Sequence, residues 1–255
     1  MMTTATIALQ LYTVRDETAR DFAGTLRRAG AMGYDGVEFA GYGGLPAHEV
    51  RALLEETGLR AASTHVGLDL LEGNLEAEID YCLAIGCPCI VLPWLPSERR
   101  GPAALRALAP LLDEVGRRCH DHGLAFGYHN HDFEFARDGG DGGDSDTMLL
   151  DRLLDATDPA LVALELDVYW AAYAGVDPVA LLRRYAGRVP LLHIKDMASD
   201  RGFTEVGDGT LDLSAVLRAA GDGVRWLIVE NDAPRIASLE SARRSLENLR
   251  ALVAA

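Results

Sequence analysis

Cations are scarce in this chain. Its 24 Lys and Arg face 39 Asp and Glu, a formal net charge of −15 over 255 residues. Proteins that track a phosphate backbone concentrate Lys and Arg, so the balance argues against nucleic acid as a partner. It leaves room for a sugar, or for a site that holds a cation. Cysteine is equally sparse: Cys82, Cys87, Cys89 and Cys119 form no CxxC pair and read as small buried thiols, not as a disulfide framework or metal knot. No segment approaches the ~20 apolar residues of a membrane span. The start, Met-Met-Thr-Thr-Ala-Thr, lacks the basic and apolar regions of a signal peptide, so a soluble cytoplasmic protein is expected. No GxGxxG follows the first apolar run, and P-loop, GxSxG and HExxH motifs are missing.

About half of the residues are hydrophobic, enough for a large core. Short apolar runs alternate with longer amphipathic ones. The predicted strands are Ile7–Leu11, Gly36–Phe39, Ala61–His65, Cys89–Leu92, Ala125–His129, Val162–Asp167, Leu191–Lys195 and Leu227–Glu230. Between them, helical spacing marks the stretch from Phe22, Pro46 to Thr57, Leu105 to His122, Asp177 to Tyr185 and Ser238 to Leu252. Eight strands alternating with helices close into a barrel or open into a doubly wound sheet. Polar residues decide: Glu38, His65, His129, Asp167, His193 and Glu230 all end strands, and a barrel gathers all eight strand ends at one mouth. A single (β/α)8 TIM barrel over residues 1–255 is predicted. The Gly- and Asp-rich stretch Ala136 to Thr147 does not match calcium-loop spacing and reads as a surface loop over the mouth.

Four segments carry chemistry. In Tyr128-His-Asn-His-Asp-Phe-Glu-Phe135, strand geometry puts His129 and His131 on one face; a turn must aim Glu134. Histidine with carboxylate suits Mn, Co, Fe or Zn over Ca; the bland alternative is a polar strand end. In Leu164-Glu-Leu-Asp-Val-Tyr-Trp170, Glu165 and Asp167 point into the barrel. Burial there demands a metal, water or a partner such as Lys195. His193 and Lys195 share a face in Leu191-Leu-His-Ile-Lys-Asp196, a ligand beside an ammonium for a substrate oxygen. Glu230 ends an apolar strand as a ligand, a base or a cap. The turn Gly207-Asp-Gly-Thr-Leu-Asp212 precedes a helix, a place for phosphate, but flanking acids favour a plain turn.

On these strand ends the sequence resembles the xylose isomerase-like barrel superfamily. Its members include ketose 3-epimerases, inosose dehydratases and isomerases, endonuclease IV and sugar phosphate isomerase/epimerases. The resemblance runs from Leu9-Gln-Leu-Tyr-Thr-Val-Arg15 to Glu230-Asn-Asp232 and is most specific at Tyr128 to Glu134, Asp167 to Trp170 and His193 to Asp196. It implies one divalent metal, Mn first and Co, Mg, Fe or Zn as alternatives, held by Glu134, Asp167, His193 and Glu230. Their separations of 33, 26 and 37 residues each fit one βα unit. His131 stands either as a replacement ligand for Glu134 or as a base. His65, Trp170, Lys195 and, more weakly, Glu38 and Gln10 are implied substrate contacts; Trp94 is pocket wall or core. The implied activity is metal-dependent isomerisation or epimerisation of a keto-sugar or inosose through an enediolate, with Glu134, Glu230 or His131 moving the proton. Loss of a β-substituent, a dehydratase or 3-keto-glycoside lyase, is the runner-up. An endonuclease IV-like phosphodiesterase or a non-catalytic sugar-binding subunit would be a different class. A small sugar or polyol is the expected partner, without nucleic acid or membrane; the apolar faces of the later helices leave room for a homo-oligomer.

Overall fold

The computed structural model describes residues 6–137 and 147–255. Eight parallel strands close into a barrel: β1 (Thr6–Gln10), β2 (Gly36–Phe39), β3 (Arg60–His65), β4 (Cys89–Leu92), β5 (Ala125–His129), β6 (Ala163–Asp167), β7 (Leu191–Ile194) and the last, β10 (Trp226–Val229), which pairs with both β7 and β1. Two short strands, β8 (Asp196–Met197) and β9 (Phe203–Thr204), form an antiparallel ribbon after β7. The barrel predicted from alternating runs is therefore the fold observed. Lys195 and Glu230 fall one residue past the ends of β7 and β10. Ala136 to Thr147 lies, except for its ends, outside the described residues.

Alternation along each strand builds two cores. Outward side chains such as Leu9, Val37, Ile90, Leu92, Phe126, Leu164, Leu166, Leu192 and Ile194 pack against the surrounding helices. A small inner cluster, Ala8, Ala62, Cys89, Val91, Leu191, Trp226 and Ile228, plugs the barrel. Gly36 makes room for that plug: a Cβ there would lie 2.8 Å from the Trp226 ring and 2.5 Å from the Arg60 carbonyl oxygen. Helices begin and end where local chemistry directs. Asp177 caps Pro178–Arg184 through the Val179 N–H, with Pro at the first helical turn. Gly58 in the left-handed region ends Ala47–Thr57. All four cysteines are buried and free, as expected. Among the described residues no helix is long and apolar enough to cross a membrane.

The Gly-rich turn from Gly207 to Asp212 proves to be an internal anion nest. The Asp196 carboxylate accepts the N–H groups of Met197 (2.8 Å), Gly207 (2.9 Å), Gly209 (3.0 Å) and Leu211 (3.2 Å). The donors that a phosphate would need are thus taken by the chain's own carboxylate. Asp196→Ala is expected to cost about 2 kcal/mol or more in urea unfolding, because it strands buried N–H groups. A loss under 0.5 kcal/mol would show the nest to be idle.

Candidate functional site

Strand register sets the site. The pairings Gln10 with Glu38, Glu38 with Ser63, His129 with Glu165, and Asp167 with His193 place polar side chains level with one another around the C-terminal half of the barrel. His193 is the hub. Its Nδ1 lies 2.8 Å from Glu230 Oε2 and its Nε2 lies 2.7 Å from Glu38 Oε2 and 3.2 Å from Glu165 Oε2. Glu165 Oε2 also meets His65 Nε2 at 2.8 Å and His129 Nδ1 at 2.9 Å. Glu38 accepts from Ser63 (2.5 Å) and Gln10 (2.6 Å). Lys195 Nζ sits on three carboxylates, Glu230 (2.7 Å), Asp232 (2.8 Å) and Asp167 (3.0 Å). Asn130 locks the ends of β5 and β6 together: its side chain accepts from the Asp167 N–H (3.0 Å) and donates to the Asp167 carbonyl (3.4 Å).

Charge explains the titration behaviour. Burial works to lower His193, but Glu165 and Glu38 outweigh it and hold the imidazole well above its ordinary range. His65 is raised for the same reason, with burial opposed by Glu38 and Glu165. Burial likewise opposes the Lys195 ammonium, and Asp167, Glu230 and Asp232 hold it charged. Five carboxylates (Glu38, Glu165, Asp167, Glu230 and Asp232) thus crowd around three basic side chains, an excess of acid over base. The surplus shows in the two groups pushed upward. Glu38 is raised by burial and by Glu165, and Asp232 reaches about 7 through burial, with Glu230 and Asp167 adding to the rise against Lys195.

A divalent cation fits this arrangement. Two groups have donor atoms that all lie within 4.8 Å of one another: Asp167, His193 and Glu230, and a second with His65, His129, Glu165 and His193. Glu165 Oε1 and Asp167 Oδ2 are buried without a hydrogen-bond partner; Asp167 Oδ2 has ionic contacts with Lys195 (3.0 Å) and His129 Nε2 (3.7 Å). Carboxylate oxygens with imidazole nitrogens suit Mn, Co, Fe or Zn, and an ion bound there would take the place of the proton on His193.

Glu134 stands apart from both groups. Its Oε1 accepts from the Tyr128 hydroxyl (2.6 Å) and its Oε2 from the His131 backbone N–H (2.8 Å). Burial, partly offset by these bonds, lifts it to about 7. Where the sequence argument made Glu134 a ligand, the geometry has it bracing the turn that carries His131. The His131 Nδ1 is buried without a partner, and burial lowers the ring to about 2, so it is neutral. Glu38 is fully buried and is not part of the cavity wall; it supports His65 and His193. Trp170 packs 5.4 Å from the His131 ring, with Lys195 5.9 Å from its ring centre. Asp232 escaped the sequence reading; its signal was the two-residue spacing from Glu230. The internal ion pair considered for Glu165 with Lys195 is made by Asp167 instead.

A cavity of about 570 Å³ opens over these residues, walled by Tyr12, His65, Trp94, His129, His131, Lys195, Glu230 and Asp232 among others. With this geometry in hand, comparison with known proteins is informative. A family model described as a xylose isomerase-like TIM barrel matches residues 26–252. An inosose dehydratase of Geobacillus kaustophilus is 28% identical over 244 residues, covering 78% of this chain and 76% of that protein. One of Mesomycoplasma hyopneumoniae is 31% identical over 169 residues, 57% of this chain and 54% of its own. Several further inosose dehydratases are matched over only about half their length. A sugar phosphate isomerase/epimerase from Parabacteroides distasonis superposes with a TM-score of 0.84 at 26% identity, covering 98% of this chain and 94% of that one.

Metal analysis after chelation and reloading with Mn is expected to give one ion per chain, lost in Asp167→Ala and His193→Ala but kept in Glu134→Gln. Loss in Glu134→Gln as well would restore Glu134 as a ligand. The same variant tests the raised carboxyl. A folded value near 7 against about 4.3 unfolded means that the group's contribution to stability is full below pH ~4 and fades as the pH rises through 7. Wild type should therefore lose stability relative to Glu134→Gln across that window; parallel stability curves would refute the assignment.

Proposed function

The chain belongs to the xylose isomerase-like TIM barrel family, and on that premise we propose that it is a divalent-metal-dependent sugar isomerase or epimerase acting on a keto-sugar or inosose. The observation that carries this reading is the convergence of Asp167, His193 and Glu230, the last of which lines the cavity with Lys195 and His131. Asp167, His193 and Glu230 would hold the ion, with water completing its shell and Glu134 left bracing the His131 turn. Such an ion supplies Lewis-acid chemistry that acidifies the C–H beside a carbonyl.

The chain's own groups do the rest. His131, on the cavity wall with a ring nitrogen that has no partner, is placed to accept the proton from that carbon. Its backbone is fixed by Glu134, which sets where the ring stands. Glu230 stays ionised: burial works upward, but Lys195 and His193 hold it well below the ordinary carboxylate range. Lys195 and His65, both on the cavity wall, donate to substrate oxygens. A proton returned to the neighbouring carbon gives isomerisation; one returned to the opposite face gives epimerisation. A second reading, a dehydratase or keto-glycoside lyase, draws support from relatives named inosose dehydratase. There the same enediolate expels an oxygen substituent from the β-carbon.

With metal-loaded protein, keto-sugars, inososes and 3-keto-glycosides are expected to exchange the α-hydrogen with deuterated solvent. Glu230→Gln should abolish the exchange with the fold intact, and His131→Asn should slow it about 100-fold or more. Full activity in Glu230→Gln would remove that residue from the mechanism. Proton NMR of the product separates the readings: an isomer of unchanged mass marks the isomerase or epimerase, and a dehydrated or cleaved product marks the lyase.

A further inference from the structure

Next to the main cavity lies a second one of about 520 Å³, and the two share Pro93 and Trp94 as a wall. It is formed by the loops that follow β3 and β4 and is lined by Gly67, Leu68, Asp69, Glu72, Glu98 and Arg99 among others. Each cavity exceeds the ~300 Å³ at the small end of ligand pockets. Between them stands Trp94, 49% exposed, where most large apolar side chains in this fold are covered.

This indole is held in place. The Arg100 guanidinium lies 4.8 Å from the Trp94 ring centre and 4.5 Å from the Phe133 ring centre, and its Nε donates to the Leu95 carbonyl at 2.7 Å. Arg100 therefore packs on the Trp94 ring, and half of the side chain's surface is left to a ligand. A fixed, exposed indole is a platform for the C–H face of a sugar ring, whose hydroxyls radiate outward to polar neighbours. The neighbours here are chiefly acceptors: Asp69, Glu72 and Glu98. The one guanidinium among them, Arg99, is paired with Glu72 at 2.6 Å. Carboxylates accept from hydroxyls and repel phosphates and uronates.

We propose that the second cavity is a subsite for the neighbouring ring of a neutral glycoside, stacked on Trp94, while the reacting ring occupies the main cavity. The substrate class is then a disaccharide-like glycoside without phosphate, not a free monosaccharide. This deepens the proposed function and rests on it for the identity of the reacting ring, but binding at Trp94 is measured without turnover.

The test compares binding of glucose with that of cellobiose, maltose, trehalose and sucrose by calorimetry, and follows protection of indole fluorescence from acrylamide. Of the three tryptophans, Trp226 is buried and Trp170 half-buried, so quenching reports chiefly on Trp94. At least one disaccharide should bind about tenfold tighter than glucose and shield the indole. Trp94→Ala should erase that advantage, and Trp94→Phe should keep part of it. Equal affinity for glucose and every disaccharide in wild type, or an advantage unchanged in Trp94→Ala, would overturn the subsite. A disaccharide advantage without any α-hydrogen exchange on metal-loaded protein would instead keep the subsite and sink the catalytic reading.

Discussion

The rest of the site depends on a shortage of positive charge in a closed space. Glu38, Glu165, Asp167, Glu230 and Asp232 converge at the mouth of the barrel, the first four of them buried, and Lys195, His193 and His65 do not balance them. Buried carboxylates are costly unless paired. The arrangement meets that cost in two ways: by histidines bonded on both ring nitrogens, as His193 is between Glu230 and Glu38, and by an ammonium shared among three acids. What these leave over is an excess of acidic groups that favours a bound cation. Burial first, and the neighbouring carboxylates second, push Glu38 and Asp232 upward.

Most of this was legible because a strand has a period of two and a barrel has an inside. Once Leu164 and Leu166 face the helices, Glu165 and Asp167 must face the axis. His193 follows by the same logic from Leu192 and Ile194. The two residues that periodicity does not place lie beyond regular strands. Glu134 sits in a tight turn after β5, and its direction is set by the Tyr128 hydroxyl and a backbone N–H, contacts that no periodicity encodes. Asp232 lies two residues past Glu230, at a bend after the strand has ended, and its side chain still reaches Lys195. The partner of Lys195 was also a matter of reach: from the end of β7 its long stem meets Asp167 and Glu230, while Glu165, one inward position earlier, is left to the imidazoles.

The fold provides a rigid floor for this charge cluster. Small residues, Ala8, Ala62 and Gly36, let Trp226 fill the inside of the barrel. The Asp196 nest fixes the chain immediately after Lys195 by tying the ribbon of β8 and β9 to the turn at Gly207. Lys195 is thereby anchored at its own backbone, so the ammonium that bridges three carboxylates does not have to be ordered anew when a ligand arrives, which lowers the entropic cost of binding.

The same electrostatics bear on substrate choice. Among the walls of the main cavity the one lasting cation is Lys195, and it is already shared by Asp167, Glu230 and Asp232. A phosphate entering there would face the carboxylates that already share Lys195, and the Gly-rich turn after β9 gives its N–H groups to Asp196. A neutral polyol meets the opposite situation: its hydroxyls donate to the carboxylates that would repel an anion, and its C–H faces cover Tyr12 and Trp94, the exposed aromatics of the rim. The neutral substrate proposed above is consistent with a cavity lined by more carboxylates than cations.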